Sequence, residues 1–317
     1  MNRHKIVAAA LAAIIAVGVG TSSVGAESRA GEYPMGGEAL TASYTTAAAP
    51  ESHLDRNYMT LSGISDKSVS SYDRLTVKVW GRALSVSGLD IDGVSYIPFR
   101  AAANMLGASY SYNSSSRTST MRLDGLTLTA GAGCYVAYGN NRAIFTTSPT
   151  VIMSDGRMYI PVTVLTKATG LLMTESDGTL SLGGSLRPLK DASEFYREDE
   201  VFWLARIIHA ESAGEPLLGQ IAVGDVVLNR VRSSLYPNTI YSVIFDRNYG
   251  VQFSPILNGT IYNTPSYNSI LAAKICLEGA TFADEVMFFL QPELSASSWI
   301  PRTREYCFTV GRHDFYK

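Results

Sequence analysis

Asp92-Gly93-Val94-Ser95-Tyr96-Ile97-Pro98 returns 63 residues later as Asp155-Gly156-Arg157-Met158-Tyr159-Ile160-Pro161, and at the same offset Gly107 falls on Gly170. One unit therefore occurs twice, and its reading decides the fold of the first half of the chain. In each copy Asp-Gly makes a turn and Tyr-Ile a short strand. Pro takes the first helical position, where its missing N–H costs nothing, and the later Gly stops the helix. The spacing predicts helices from Phe99 to Leu106 and from Val162 to Thr169 in a ββα-type repeat.

Upstream of the repeat, Leu75, Val77 and Val79 alternate with polar residues, so the strand-like region opens near Asp73 and closes near Gly184. Residues 27–72 are rich in Ala, Ser, Thr and Gly without a sustained period and read as a flexible spacer. The chain begins with the cationic Asn2-Arg3-His4-Lys5, then an apolar run from Ile6 to Val19. Val24-Gly25-Ala26 follows with the small residues a signal peptidase needs. A leader over 1–26, cleaved after Ala26, is expected. The alternative of a membrane anchor is disfavoured because a run of 14 residues falls short of the ~20 that span a bilayer. The mature protein is expected outside the cytoplasmic membrane.

With 317 residues, 46% of them hydrophobic and 17% charged, the chain can bury two modest cores. Its formal charge of −2, or −4 once Arg3 and Lys5 leave with the leader, offers no basic face for nucleic acid. Cys134, Cys276 and Cys307 are too few and too scattered for a disulfide framework, which leaves buried thiols and a Cys276–Cys307 bridge as alternatives.

Downstream, Ser185 to Glu200 is short and polar, and a linker is expected over 185–197. From Val201 the period turns helical, with Val201, Leu204, Ala205 and Ile208 on one face and a stop near Gly214 and Pro216. Leu204, Ile208, Glu211 and Glu215 continue that stripe, which draws two carboxylates toward the apolar side. Burial raises a carboxyl pKa, and the negative end of the helix dipole acts in the same direction. Such a group suits general-acid chemistry near neutral pH, although a glutamate at a helix end is more often simply solvated. Thr264-Pro265 through Gly279 reads as a scaffold helix.

The segment 73–184, through its Asp-Gly-x-x-Tyr-Ile-Pro turn and strand and the helix after it, resembles the family named for the N-terminal region of copper amine oxidases. A copper site wants imidazole or thiolate ligands, and this segment holds no histidine and only Cys134, so no metal and no cofactor is expected. Tyr110, Tyr112, Tyr135 and Tyr138 suit either strand packing or stacking on sugars, the first being commoner. Through such stacking the repeat domain would associate with the cell wall.

The run His209-Ala210-Glu211-Ser212-Ala213-Gly214-Glu215-Pro216-Leu217-Leu218-Gly219-Gln220-Ile221-Ala222-Val223 is joined by Val226-Val227-Leu228-Asn229-Arg230-Val231, by Tyr249-Gly250-Val251-Gln252-Phe253-Ser254-Pro255, and by a last block from Phe288-Phe289 through Ser297-Ser298-Trp299-Ile300 to Gly311-Arg312-His313-Asp314-Phe315-Tyr316. Together these resemble the SleB-type cell-wall hydrolases over residues 198–317. The family commonly has Gly-Glu-Ala-Arg-Gly-Glu where this chain has His209-Ala210-Glu211-Ser212-Ala213-Gly214-Glu215, so an arginine is absent from that turn. The resemblance implies an α+β protein whose C-terminal domain is mainly helical and similar to lysozyme and the lytic transglycosylases. It implies a peptidoglycan glycan strand as substrate, spore cortex among the candidates, and Glu211 as the catalytic acid. It also implies a place in the cell wall or spore envelope.

Glu211 would protonate the glycosidic oxygen between N-acetylmuramic acid and N-acetylglucosamine, then accept the proton of the muramic 6-hydroxyl as an anhydro ring closes. That route needs no second carboxylate, whereas water attack usually does. Glu215 and Asp225 carry no motif for that role and read as scaffold. Ser212, Gln252, Phe253, Ser254, Trp299 and Arg302 are the expected substrate contacts, with amides and hydroxyls for acetamido groups, aromatic rings for sugar faces and a guanidinium for a carboxylate. Two alternatives stand beside this reading. One is an N-acetylmuramoyl-L-alanine amidase, which would need zinc and has only His209 and His313 in this domain. The other is a wall-binding protein without catalysis.

Overall fold

The computed structural model describes residues 69–248, 250–295 and 299–317. The expected leader and all but the end of the expected spacer lie outside the described residues. Residues 69–72 differ from the expectation of a flexible spacer. Val69–Ser71 form a 3-10 turn, and Val69 and Tyr72 pack on the cluster of Leu89, Ile91, Tyr96, Val151, Met153 and Tyr159. No helix among the described residues is long and apolar enough to cross a membrane.

The repeat lobe begins with β1 (Asp73–Val79), β2 (Arg82–Ala83), β3 (Gly88–Ile91), β4 (Val94–Pro98) and the helix α1 (Phe99–Met105). A five-stranded antiparallel meander follows, β5 (Ser109–Asn113), β6 (Thr118–Leu123), β7 (Leu126–Gly131), β8 (Val136–Gly139) and β9 (Arg142–Phe145). The second copy of the unit supplies β10 (Val151–Ile152), β11 (Met158–Pro161) and α2 (Val162–Thr169), then β12 (Leu172–Ser176) and β13 (Thr179–Gly183). The main sheet has the order β10-β11-β4-β3-β1-β13-β12, with β2 beside β1.

The two copies pair with each other. β4 and β11 are antiparallel and in register at Ile97 with Ile160, flanked by Pro98 with Tyr159 and Tyr96 with Pro161, which is symmetrical about the isoleucine pair. Tyr96, Ile97, Tyr159 and Ile160 are all buried. Asp92 and Gly93 both have positive φ (54° and 82°), as a two-residue hairpin matched to strand twist requires. Asp90 Oδ1 accepts the Gly93 N–H at 2.8 Å. Pro98 and Pro161 sit one position earlier than expected. Each ends its strand in extended conformation and caps the helix, so strand passes into helix without a loop.

The helical lobe holds α3 (Ala192–Phe195), α4 (Glu198–Ser212), α5 (Leu217–Arg232), α6 (Ile240–Ile244), α7 (Pro255–Asn258) and α8 (Tyr267–Leu277). β14 (Phe288–Leu290), α9 (Trp299–Thr303), β15 (Tyr306–Val310) and β16 (His313–Tyr316) complete it, the strands in the order β14-β16-β15. α5 is apolar nearly all round because α4 and α8 pack on it. Gly224 allows that approach: a Cβ there would stand 2.7 Å from Cys276 Sγ and 2.9 Å from Ile208 Cδ1. α8 starts later than expected, since Ser266 and not Thr264 is the N-cap, its Oγ accepting Ser269 N–H at 3.2 Å. Cys134, Cys276 and Cys307 are free thiols.

The expected linker, residues 185–197, is tied down along its length. Arg187 N–H donates to Thr169 O at 2.7 Å, Leu189 N–H to Ala168 O at 3.1 Å and Ala192 N–H to Asn140 O at 3.0 Å. Val136 and Ala143 from the meander share a core with α4, α5 and α8. Between the lobes, Arg142 grips Glu278 with two parallel bonds, Nε to Oε1 at 2.9 Å and Nη2 to Oε2 at 2.7 Å. Tyr196 OH donates to Glu278 Oε1 at 2.6 Å, and Tyr138 OH lies 3.0 Å from Tyr267 OH. Glu278→Ala strands the Arg142 charge in a buried site. The expected cost is about 3–5 kcal/mol, read as a lower midpoint in urea denaturation of the full chain, whereas exchanging the exposed Glu293 leaves the midpoint unchanged.

Candidate active site

α4 carries three acids, Glu198, Asp199 and Glu200, in its first turn, where the helix dipole favours them. Its stripe of Val201, Leu204, Ala205 and Ile208 is wholly buried. Glu211 follows in the last turn, half-buried, and burial raises its carboxyl from 4.5 to about 7, against a smaller opposing pull from Arg230. Among the described residues no hydrogen bond or ion pair engages its carboxylate.

Glu215 and Asp225 are both engaged in hydrogen bonds. Glu215 lies beyond the end of α4, takes the Arg312 N–H at 2.9 Å and Arg312 Nε at 2.8 Å, and so ties the turn after Glu211 to the C-terminal hairpin. Gly311, at φ 59°, leaves room for this, because a Cβ there would run into the Glu215 carboxylate. Asp225, buried within α5, accepts Phe282 N–H at 2.7 Å and Ala283 N–H at 3.1 Å through one oxygen. Burial pushes its carboxyl up to about 7, with those two bonds opposing the rise.

Arg230, in the last turn of α5, was legible only as part of a motif block and had no assigned role. It is buried, donates Nε to Met287 O at 2.9 Å, and stacks over Tyr236, Phe253 and Phe288 with its guanidinium carbon 5.1, 5.2 and 5.6 Å from their ring centres. Its Nη1 is buried with no hydrogen-bond partner.

The expected contact residues divide. Trp299 is 51% exposed and meets Phe288 edge-on, centroids 6.0 Å apart, so it joins the aromatic run over which Arg230 lies. Gln252 folds its amide back on Gly250 O at 3.2 Å, and Ser254 is exposed at the start of α7 with its hydroxyl unused as a cap. Two expectations, Phe253 and Ser212, need correction. Phe253 is 2% exposed and belongs to the core beneath Arg230, so its ring faces no ligand. Ser212 turns its hydroxyl into the helix, donating to Ile208 O at 2.7 Å, as serines in a final turn often do. Arg302 is exposed, which leaves it open to a ligand, and the cation over Trp299 and Phe288 is Arg304, at 4.9 and 4.6 Å. His209 Nδ1 accepts the Ser266 N–H at 3.3 Å. Among the described residues no three His, Cys, Asp or Glu side chains are grouped to hold a metal ion.

Over the helical lobe and its terminal hairpin, residues 214–316 match the Cell Wall Hydrolase family. Residues 79–182 match the copper amine oxidase N-terminal domain. The relatives are spore cortex-lytic enzymes. That of Bacillus cereus is 34% identical over 122 residues, 38% of this chain and 46% of the relative. That of Bacillus subtilis is 30% identical over 120 residues, 38% of each. The solved catalytic domain of the germination-specific lytic transglycosylase SleB from Bacillus anthracis is 34% identical, covering 38% of this chain and 97% of that one, at a TM-score of 0.36. The chain spans under half the length of the first of these curated relatives.

The raised Glu211 pKa has a stability consequence of definite sign. The neutral carboxyl is the form the fold prefers, so its contribution is fully present below pH 4.5 and is lost as pH rises through about 7. Glu211→Gln is expected to melt higher than the unsubstituted protein above pH 7, by the equivalent of roughly 1–3 kcal/mol after allowance for partial solvent screening. The difference closes as pH falls to 4.5. Thermal denaturation across pH 4 to 9 measures it, and equal melting temperatures at pH 8 would show that Glu211 is not desolvated.

Proposed function

We propose that this protein is exported to the cell wall or spore envelope and cleaves the glycan strands of peptidoglycan as a lytic transglycosylase, with Glu211 as both acid and base. The observation that carries the reading is the contrast among three neighbouring carboxyls. Among the described residues Glu211 has no hydrogen-bond partner and burial raises it to about 7, whereas Glu215 and Asp225 are committed to scaffold hydrogen bonds.

The protonated Glu211 donates to the glycosidic oxygen of the N-acetylmuramic acid–N-acetylglucosamine bond. That bond breaks, the 4-hydroxyl of N-acetylglucosamine departs, and positive charge develops at muramic C1. The carboxylate then takes the proton from the muramic 6-hydroxyl as O6 bonds to C1, closing a 1,6-anhydro ring and restoring the acid. No water is consumed. Hydrolysis would need a carboxylate free to activate water, and Glu215 and Asp225 are engaged in hydrogen bonds. Trp299, exposed, would offer the strand a ring face, and the Gln252 amide would meet an acetamido group on release from Gly250 O. The spore cortex-lytic relatives and the leader-like N-terminus support the substrate and the location.

Digestion of purified peptidoglycan followed by mass spectrometry of the soluble fragments tests this. Anhydro-muramic ends are expected, with activity declining as pH rises above about 7. Glu211→Gln should lower the rate by ~10²–10⁴. Reducing muramic ends would indicate hydrolysis. Free stem peptides, or activity removed by chelation and restored by zinc, would replace the reading with an amidase.

A further inference from the structure

The two copies of the repeat present equivalent helix faces that the fold uses differently. At the offset of 63, Arg100 and Asn104 of α1 correspond to Thr163 and Lys167 of α2. On α2, Lys167 Nζ reaches Glu278 O of the helical lobe at 3.5 Å. The α1 face is open and borders a cavity of about 250 Å³.

That cavity has a consistent chemistry. Arg100 and Asn104, one helical turn apart, form one wall, and Tyr110 and Tyr112, two residues apart on β5, line the same cavity. Met158 and Ile152 give an apolar floor. No carboxylate lines it, and Arg100 forms no ion pair among the described residues. Its guanidinium lies 4.9 Å from the Tyr110 ring centre, held in place by stacking with its donors free. Arg157, on the far wall, is already paired with Asp155 at 2.8 Å. Tyr110 is fixed through its hydroxyl, 2.5 Å from Ser119 Oγ, while Tyr112 is 43% exposed. An exposed ring beside an amide and an unpaired guanidinium offers a face for a pyranose, a partner for an acetamido group and a fork for a carboxylate.

We propose that this cavity is a second glycan-binding site that takes an N-acetylated sugar bearing a carboxylate, such as a muramic acid unit with its lactyl group free. The site is remote in sequence from Glu211 and its occupancy does not depend on catalysis.

The test is NMR titration of the full-length Glu211→Gln chain, which removes turnover, following the ring signals of Tyr110 and Tyr112. The probes are the disaccharide N-acetylglucosaminyl-N-acetylmuramic acid, chitobiose, which has acetamido groups without a carboxylate, and a stem tetrapeptide, which has carboxylates without a sugar. The disaccharide is expected to shift both tyrosines and to bind about tenfold tighter than either other probe. Arg100→Gln should erase the preference over chitobiose, and Tyr112→Ala should weaken both sugars. Equal binding of chitobiose, preference for the peptide, or no shift at millimolar disaccharide would each overturn the proposal. Because the readout is local to the cavity, it succeeds or fails independently of Glu211 chemistry.

Discussion

The arrangement of this protein depends on one buried charge pair. Arg142 comes from the last strand of the meander and Glu278 from the end of α8, and both side chains are nearly withdrawn from water. Burying two charges is unfavourable unless the geometry satisfies the groups involved. Here Glu278 accepts two bonds from Arg142 and one from Tyr196, and the Tyr196 oxygen accepts the Ala143 N–H at 3.2 Å. Phe195 lies flat against the guanidinium, 3.3 Å from its centre. The cluster draws on the meander, the connecting segment and α8 together, so it forms only when all three are in place. The helical lobe is thereby held against the repeat lobe as one body.

The same electrostatics distinguishes the acids around α4 and α5. Glu211, Glu215 and Asp225 all lose solvent, yet they differ in what replaces it. Glu215 receives a charged donor and a backbone N–H, and Asp225 receives two backbone N–H groups. Glu211 receives only a distant cation, and its proton affinity rises. Burial lifts the Asp225 carboxyl to about 7 as well, so proton affinity alone does not separate it from Glu211; what sets Glu211 apart among the described residues is that no donor engages it.

This difference explains how far the sequence could be read. Period and punctuation are local, so the paired Asp-Gly turns, α1, α2 and the α4 stripe were legible residue by residue. The proline assignment missed by one position because strand and helix abut without a loop. Glu211 lay on a readable stripe. Phe253 and Arg230 were not readable in the same way, because their surroundings come from α5, α7 and β14, which approach only in the folded chain. Arg302 and Arg304 are two residues apart with the same charge, and only the turn at the end of α9 decides which one reaches Trp299. The connecting segment looked like a linker because Arg187, Leu189 and Ala192 are anchored by backbone bonds, which leave no trace in residue type, and the partners of Phe195 and Tyr196 are distant in sequence.

Arg230 shows why residue type matters even where position could not be foreseen. A lysine in such surroundings would tend to lose its proton, as burial lowers the Lys274 ammonium to about 8. An arginine keeps its charge, because even a lowered guanidinium pKa remains far from neutrality. Its planar group also fills the space between Tyr236, Phe253 and Phe288 in a way an ammonium would not. The charge opposes the rise in Glu211 pKa, so desolvation alone would carry that carboxyl higher and leave it a weaker acid. Burial and Arg230 act in opposite directions on one proton, and their balance sets it near neutrality.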